Sequence, residues 1–163
     1  MKKVAIIMGS DSDLPVAEKA VAVLKEFEIP YEVHVYSAHR TPDEAREFAL
    51  NAEENGFGAI ISIAGMAAHL GGVIAASTTL PVIGVPCKSS VLDGMDALLS
   101  TVMMPSGIPV ATVAIGGGSN AAILAAEMLA LSDGELSQKL KAKRESDKKK
   151  VLEKDKAVQE KLC

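Results

Sequence analysis

Ser37-Ala38-His39-Arg40-Thr41-Pro42 sets one of only three histidines beside one of only three arginines. An imidazole exchanges a proton near neutral pH, and a guanidinium fork matches phosphate or carboxylate. A proton carrier and an anion clamp therefore share one turn. Each also has a plainer reading: His39 as a histidine closing a strand end, Arg40 in a surface ion pair with Asp43 or Glu44. Gly9-Ser10-Asp11-Ser12-Asp13 adds hydroxyls and backbone N–H groups that suit a phosphate, while Asp13 suits ribose hydroxyls or the cap of the following helix. Gly-Ser-x-Ser-Asp after an apolar strand points to a phosphorylated ribose. His69, among the small apolar residues of Gly65 to Gly72, reads by residue type as a satisfied buried histidine rather than a catalyst. His34, inside a strand, is assigned to structure. Gly116-Gly117-Gly118-Ser119-Asn120 allows close backbone approach to a ligand, with Asn120 placed to cap a helix or read a heterocycle.

These stretches need elements to hold them, and the chain supplies an alternation. Val4-Ala5-Ile6-Ile7-Met8 is an uninterrupted apolar run, as expected of a strand buried on both faces of a parallel sheet. Pro15 opens a helix in which Val16, Ala20, Val23, Leu24 and Phe27 recur at helical spacing, and Ile29-Pro30 breaks it. A second strand covers roughly Glu32 to Tyr36. Thr41-Pro42-Asp43-Glu44 then reads as a capping box opening a second helix, with Gly56 beyond it. Further strands are expected at 59–64, 81–86 and 110–115, with helices to about Thr78, from about Leu92, and over 120–131. The predicted fold class is α/β: a three-layer α/β/α arrangement around an open parallel sheet. In such sheets ligands bind outside the carboxyl ends of the strands, which is the edge where the loops 9–13, 37–40, 65–72, 86–90 and 116–120 should meet.

The division expected is a catalytic domain over 1–132 and a charged helical extension over 133–163. The first part holds 7 Lys+Arg against 14 Asp+Glu, a net of −7, and the second 10 against 7, a net of +3. That distribution argues against nucleic-acid binding by the main body. The extension's apolar stripe, Leu136, Leu140, Val151, Leu152, Val158 and Leu162, is thin and interrupted; a solvated surface helix and a helix docked on a neighbouring subunit both remain open. The chain is 48% hydrophobic with 3% aromatic residues, which implies apolar surface buried between subunits. No apolar run reaches the roughly 18 residues that a membrane span needs. The start lacks the pattern of a secretory signal, and Cys87 and Cys163 form neither metal-ligand spacing nor a disulfide framework. A cytoplasmic location and no membrane partner are expected. The first loop lacks GxGxxG and the Walker lysine, which disfavours NAD and ATP. Cys87 has no activating neighbour except Lys88 and is not a candidate nucleophile.

Taken together, Met8-Gly9-Ser10-Asp11-Ser12-Asp13, Ser37-Ala38-His39-Arg40-Thr41-Pro42, Ala67-Ala68-His69-Leu70, Leu80-Pro81-Val82-Ile83-Gly84-Val85-Pro86 and Met104-Pro105-Ser106-Gly107-Ile108-Pro109-Val110 resemble the bacterial PurE family, class I, over about residues 3 to 131. The resemblance implies a homo-octamer without metal or organic cofactor. Its implied activity is N5-carboxyaminoimidazole ribonucleotide mutation: reversible movement of a carboxyl group from the exocyclic nitrogen to C4 of the imidazole of a small phosphorylated substrate. It assigns Ser10, Ser12, Asp13 and Arg40, with Ser37 beside them, to the ribose phosphate and His39 to the proton. Gly65, Ala68, His69 and Leu70 belong to the loop over the carboxyl. The family usually reads Gly-Gly-Ala-Ala-His-Leu-Pro-Gly there, so Met66 and Gly71 are departures. Two rivals are a class II enzyme that carboxylates aminoimidazole ribonucleotide with CO2, disfavoured by Arg40, and a flavodoxin-like module that binds a mononucleotide without chemistry.

Overall fold

The computed structural model describes residues 1–162. Among them, strands β1 (Lys3–Met8), β2 (Tyr31–Val35), β3 (Phe57–Ala64), β4 (Val82–Pro86) and β5 (Ala111–Thr112) form one sheet in the order β2-β1-β3-β4-β5, with every neighbouring pair parallel. Helices α1 (Leu14–Glu26), α2 (Pro42–Asn51), α3 (Leu70–Ala75), α4 (Met95–Val102), α5 (Gly118–Ala130) and α6 (Gly134–Leu162) connect or follow them. None of these is long and apolar enough to cross a membrane.

The strand pleat divides the apolar runs between two cores. Val4, Ile6 and Met8 of β1 and Ala59, Ile61 and Ile63 of β3 pack with α1 and α5. Ala5, Ile7 and Ile60 face the opposite way, against α2, α3 and α4. An unbroken apolar strand is what a sheet covered on both faces requires. The α1 and α5 backbones approach so closely that a Cβ on Gly118 would stand 2.2 Å from the Val16 carbonyl oxygen. Helix α1 ends in a Schellman arrangement, with Glu28 left-handed at φ 57 and Ile29 N–H reaching the Leu24 carbonyl at 2.9 Å.

Local expectations fail in three places. The Thr41 side chain makes no cap bond to α2. Instead its hydroxyl accepts from Ser37 N–H at 2.8 Å and donates to the Ser37 carbonyl at 3.3 Å, so it closes the preceding turn. Asp13 likewise makes no side-chain cap to α1. The fifth strand is two residues long, not six, because it lies at the sheet edge with β4 as its one neighbour. Bonds from Val113 N–H to Gly84 O at 3.0 Å and from Gly116 N–H to Pro86 O at 2.8 Å keep the chain beside β4.

Helix α6 starts under an Asp133 cap, whose carboxylate accepts from Leu136 N–H at 3.0 Å. Leu136 is fully buried and Leu140 packs on the same core. Ion pairs Lys139–Glu28 at 2.6 Å and Lys143–Glu26 at 3.4 Å, with an Arg144–Glu127 pair, hold this first part on the body. From Arg144 to Leu162 every residue is exposed.

Candidate active site

Four of the five edge loops enclose a cleft of about 610 Å³ at the carboxyl ends of the strands. The loop after β1 contributes Gly9, Ser10, Ser12 and Asp13; the loop after β2 contributes Ser37 to Arg40. Gly65, Met66, Ala67, His69 and Leu70 come from the loop after β3, and Lys88, Ser89 and Ser90 from the loop after β4. The connections of β1 and β3 leave in opposite directions along the sheet, so the cleft lies at the point where the strand order reverses.

Ser10 and Ser12 begin the turn that leads into α1. Ser10 Oγ accepts from Ser12 N–H at 3.3 Å, leaving the Ser12 hydroxyl exposed at the cleft. Asp13 is 9% exposed. Its burial pushes the carboxyl above the ordinary aspartate range, against the pull of hydrogen bonds from the Cys87 thiol and the Ser10 backbone. The same burial, together with Asp13, pushes the Cys87 thiol up to about 12, so Cys87 stays a thiol and is no nucleophile.

Ser37 organises the second loop: its Oγ accepts from the backbone N–H groups of His39 at 3.4 Å and Arg40 at 3.2 Å. Arg40 Nη2 donates to the Gly9 carbonyl at 3.3 Å and Nε lies 3.5 Å from Ser37 Oγ. Among the described residues it forms no ion pair with Asp43 or Glu44, so the plain surface-pair reading falls. Helix α2, opened by Pro42, positions both side chains at the mouth.

His39 is exposed, and its ring meets that of His69 edge-on, with centroids 5.7 Å apart and planes at 81°. His69 is also exposed; the buried-histidine reading is wrong, because the loop lifts it off the core while its neighbour Ala68, at 2% exposed, takes the buried place. Ala68 therefore supports the loop without lining the cleft. His34 is structural: it stacks on Tyr36 at 5.1 Å, and its Nε2 lies 3.4 Å from Glu32. Met66 stands on the rim, 63% exposed, with φ 52. A left-handed methionine is strained, which gives the glycine of the related pattern its physical reason. Gly71 lies in the first turn of α3, where a Cβ would meet nothing closer than Ser62 Oγ at 3.5 Å.

The fifth loop does not join. Gly116–Asn120 is absent from the cleft lining; Asn120 lies exposed within α5, and Gly117, not Asn120, precedes that helix. Lys88, Ser89 and Ser90 line the cleft from the 86–90 loop expected at this edge, though none of the three was singled out as a site residue. Their position immediately after a strand was the available signal.

A phosphate-sized polar turn, a tethered guanidinium, a buried carboxylate and two facing imidazoles at one sheet edge fit an anionic nucleotide. Comparisons point the same way. The chain is 56% identical to N5-carboxyaminoimidazole ribonucleotide mutase of Pyrococcus horikoshii over 96% of this chain and 89% of that protein. With the enzyme of the same name from Thermotoga maritima it shares 56% identity, over 94% of this chain and 90% of the relative. A crystal structure of Treponema denticola PurE superposes with a TM-score of 0.85 at 34% identity, covering 95% of this chain and 97% of that one. The AIR carboxylase family pattern matches residues 3–150, and it spans all four cleft loops, so this chain belongs to the AIR carboxylase family.

Proposed function

We propose that this protein is an N5-carboxyaminoimidazole ribonucleotide mutase, an isomerase of purine biosynthesis acting in the cytoplasm. The observation that carries the reading is that relatives bearing this name share 52–58% of their residues with it over nearly its whole length. The cleft supports it in chemical detail. Ser10, Ser12, Ser37 and Arg40 hold the phosphate, and Asp13 accepts from the ribose hydroxyls. Gly65, His69 and Leu70 close over the carboxyl, with Ala68 as their buried support.

His39 moves the proton. As the N–carboxyl bond breaks, the exocyclic nitrogen takes a proton from His39 and CO2 is left beside C4. The electron-rich C4 attacks that CO2, forming the new C–C bond, and its hydrogen leaves as a proton to His39. His39 thereby regains the proton it gave up, and nothing is consumed. A cleft that retains CO2 at high effective concentration, plus one placed acid–base group, suffices.

Residues 1–132 form the catalytic domain of one subunit of a homo-octamer, and 133–163 a charged extension whose first turns pack on that domain. The apolar outer face of α4 and its C-terminal cap supports assembly: Met95, Leu99, Val102 and Met103 are 51, 53, 47 and 76% exposed, a run of apolar side chains on one side that a subunit contact would cover.

Purified protein given N5-carboxyaminoimidazole ribonucleotide converts it to the C4-carboxylated isomer without ATP. Efficient turnover of aminoimidazole ribonucleotide with bicarbonate, and none of the N5-carboxylated nucleotide, replaces this reading with direct carboxylation. His39→Asn binds nucleotide normally but loses about 10²- to 10⁴-fold in turnover; near-normal turnover removes His39 as the proton carrier.

A further inference from the structure

The substrate just assigned carries two anionic groups, a phosphate at one end and a carboxylate at the other, and the residues named so far supply one permanent cation. The cleft lining holds a second: Lys88, in the loop after β4. Arg40 and Lys88 are its only Arg or Lys residues, and Asp13 its only carboxylate. They also stand at opposite ends of the row of loops. Arg40 follows β2 and Lys88 follows β4, with β1 and β3 between; three strand spacings separate their anchor points by about 14 Å. Arg40 is tied to Gly9 O and Ser37 Oγ, in the half of the cleft that contains Ser10 and Ser12. Lys88 belongs to the other half, next to the Gly65–Leu70 loop.

The local backbone gives Lys88 a resting place. Lys88 Nζ pairs with Asp93 at 3.0 Å, with the two side chains 72% and 84% exposed. An ion pair that open contributes little to stability and exchanges readily. Asp93 and Gly94 are both left-handed, at φ 54 and 94. A Cβ on Gly94 would lie 3.1 Å from the Lys88 Cα, so this turn is folded directly against the lysine's own backbone. Ser89 pins the loop to α4, its hydroxyl donating to the Asp96 carboxylate at 3.1 and 3.2 Å. The loop is fixed, while the lysine head is held only by a surface carboxylate.

We propose that Lys88 is a specificity-determining residue: its ammonium leaves Asp93 and pairs with the carboxylate of the carboxylated nucleotide, while Arg40 holds the phosphate. This rests on the mutase reading for the identity of the ligand. A charge-assisted bond inside the cleft replaces a solvated pair outside it, and only nucleotides that carry the carboxylate benefit. Aminoimidazole ribonucleotide, which lacks it, leaves Lys88 on Asp93.

The test is calorimetric titration of the full chain with the C4-carboxylated nucleotide and, separately, with aminoimidazole ribonucleotide. Lys88→Met weakens the carboxylated nucleotide about tenfold, the loss of one charge-assisted hydrogen bond, and leaves the uncarboxylated one within about twofold. Lys88→Arg restores most of the affinity. Asp93→Asn, which removes the resting partner, tightens the carboxylated nucleotide and not the other; a general disturbance of the loop does not produce that opposite sign. Equal weakening of both nucleotides by Lys88→Met, or of neither, overturns the inference. Wild-type turnover of N5-carboxyaminoimidazole ribonucleotide is assayed alongside: if it is absent while the selective binding loss is present, the mutase reading fails and Lys88 stands. Intact turnover without the selective loss sinks the assignment of Lys88 alone.

Discussion

Asp13 illustrates the cost of building a binding site from a buried acid. Its carboxyl is pushed above the usual range chiefly by burial, so between the ordinary and the raised value the folded protein holds a proton that the unfolded chain has given up. Stability therefore falls as pH rises through that window, and the penalty is complete above it. Asp13→Asn has no such titration. The melting temperature of the variant relative to wild type should climb as pH rises above the ordinary aspartate range and level off once the raised value is passed, while nucleotide affinity drops. A pH-independent difference would show that burial of this carboxyl is not what sets its energy. Beside it, Cys87 is held as an uncharged thiol, a state that no spacing of cysteines announces.

At the scale of elements, the loop between β3 and α3 carries the clearest conflict between local preference and position. Met66 is left-handed at φ 52, where Cβ crowds the following carbonyl. Its carbonyl accepts from Ala68 N–H at 2.8 Å, and Ala67 O from His69 N–H at 2.8 Å, which keeps the loop tight under His69. Met66→Gly relieves the strain and offsets it only partly with added unfolded-state entropy. The expected gain is about 1 kcal/mol, seen as a rise of about 2–4 °C in Tm. An unchanged or lower Tm would mean that the thioether's contacts outweigh the backbone. The Thr41 hydroxyl shows a related trade: it gives up the cap of α2 and holds the Ser37 turn, thereby orienting His39 and Arg40.

For the whole molecule, the apolar outer face of α4 and the exposed second half of α6 are surfaces that the isolated subunit does not explain. Leu99→Glu places a charge in the centre of the α4 face, on a side chain already 53% exposed. The fold should therefore survive, with unchanged far-UV circular dichroism, while sedimentation velocity shows species smaller than the proposed octamer. A sedimentation coefficient unchanged from wild type would move the proposed interface elsewhere. Surface ion pairs such as Lys143–Glu26 and Lys139–Glu28 contribute little energy individually, but they fix the direction in which α6 leaves the body.

The alternation of buried strands and helices was legible in the chain itself, because an apolar run such as Val4–Met8 and a capped, periodic segment such as 15–27 leave few alternatives. The identity of the cleft loops was legible for the same reason: a strand covered on both faces releases its polar residues only at its end. Residue chemistry marked Ser10, Ser12, Asp13, His39 and Arg40. What the tertiary structure decided was proximity. The order β2-β1-β3-β4-β5 creates the reversal that brings the loops after β1 and β3 together, keeps the expected 86–90 loop at the cleft and excludes Asn120. Strand order depends on which faces the connecting helices cover, and that is a property of the packed chain, not of any segment. So too is the exposure of His69: local composition surrounds it with apolar residues, and only the left-handed turn at Met66 lifts it beside His39.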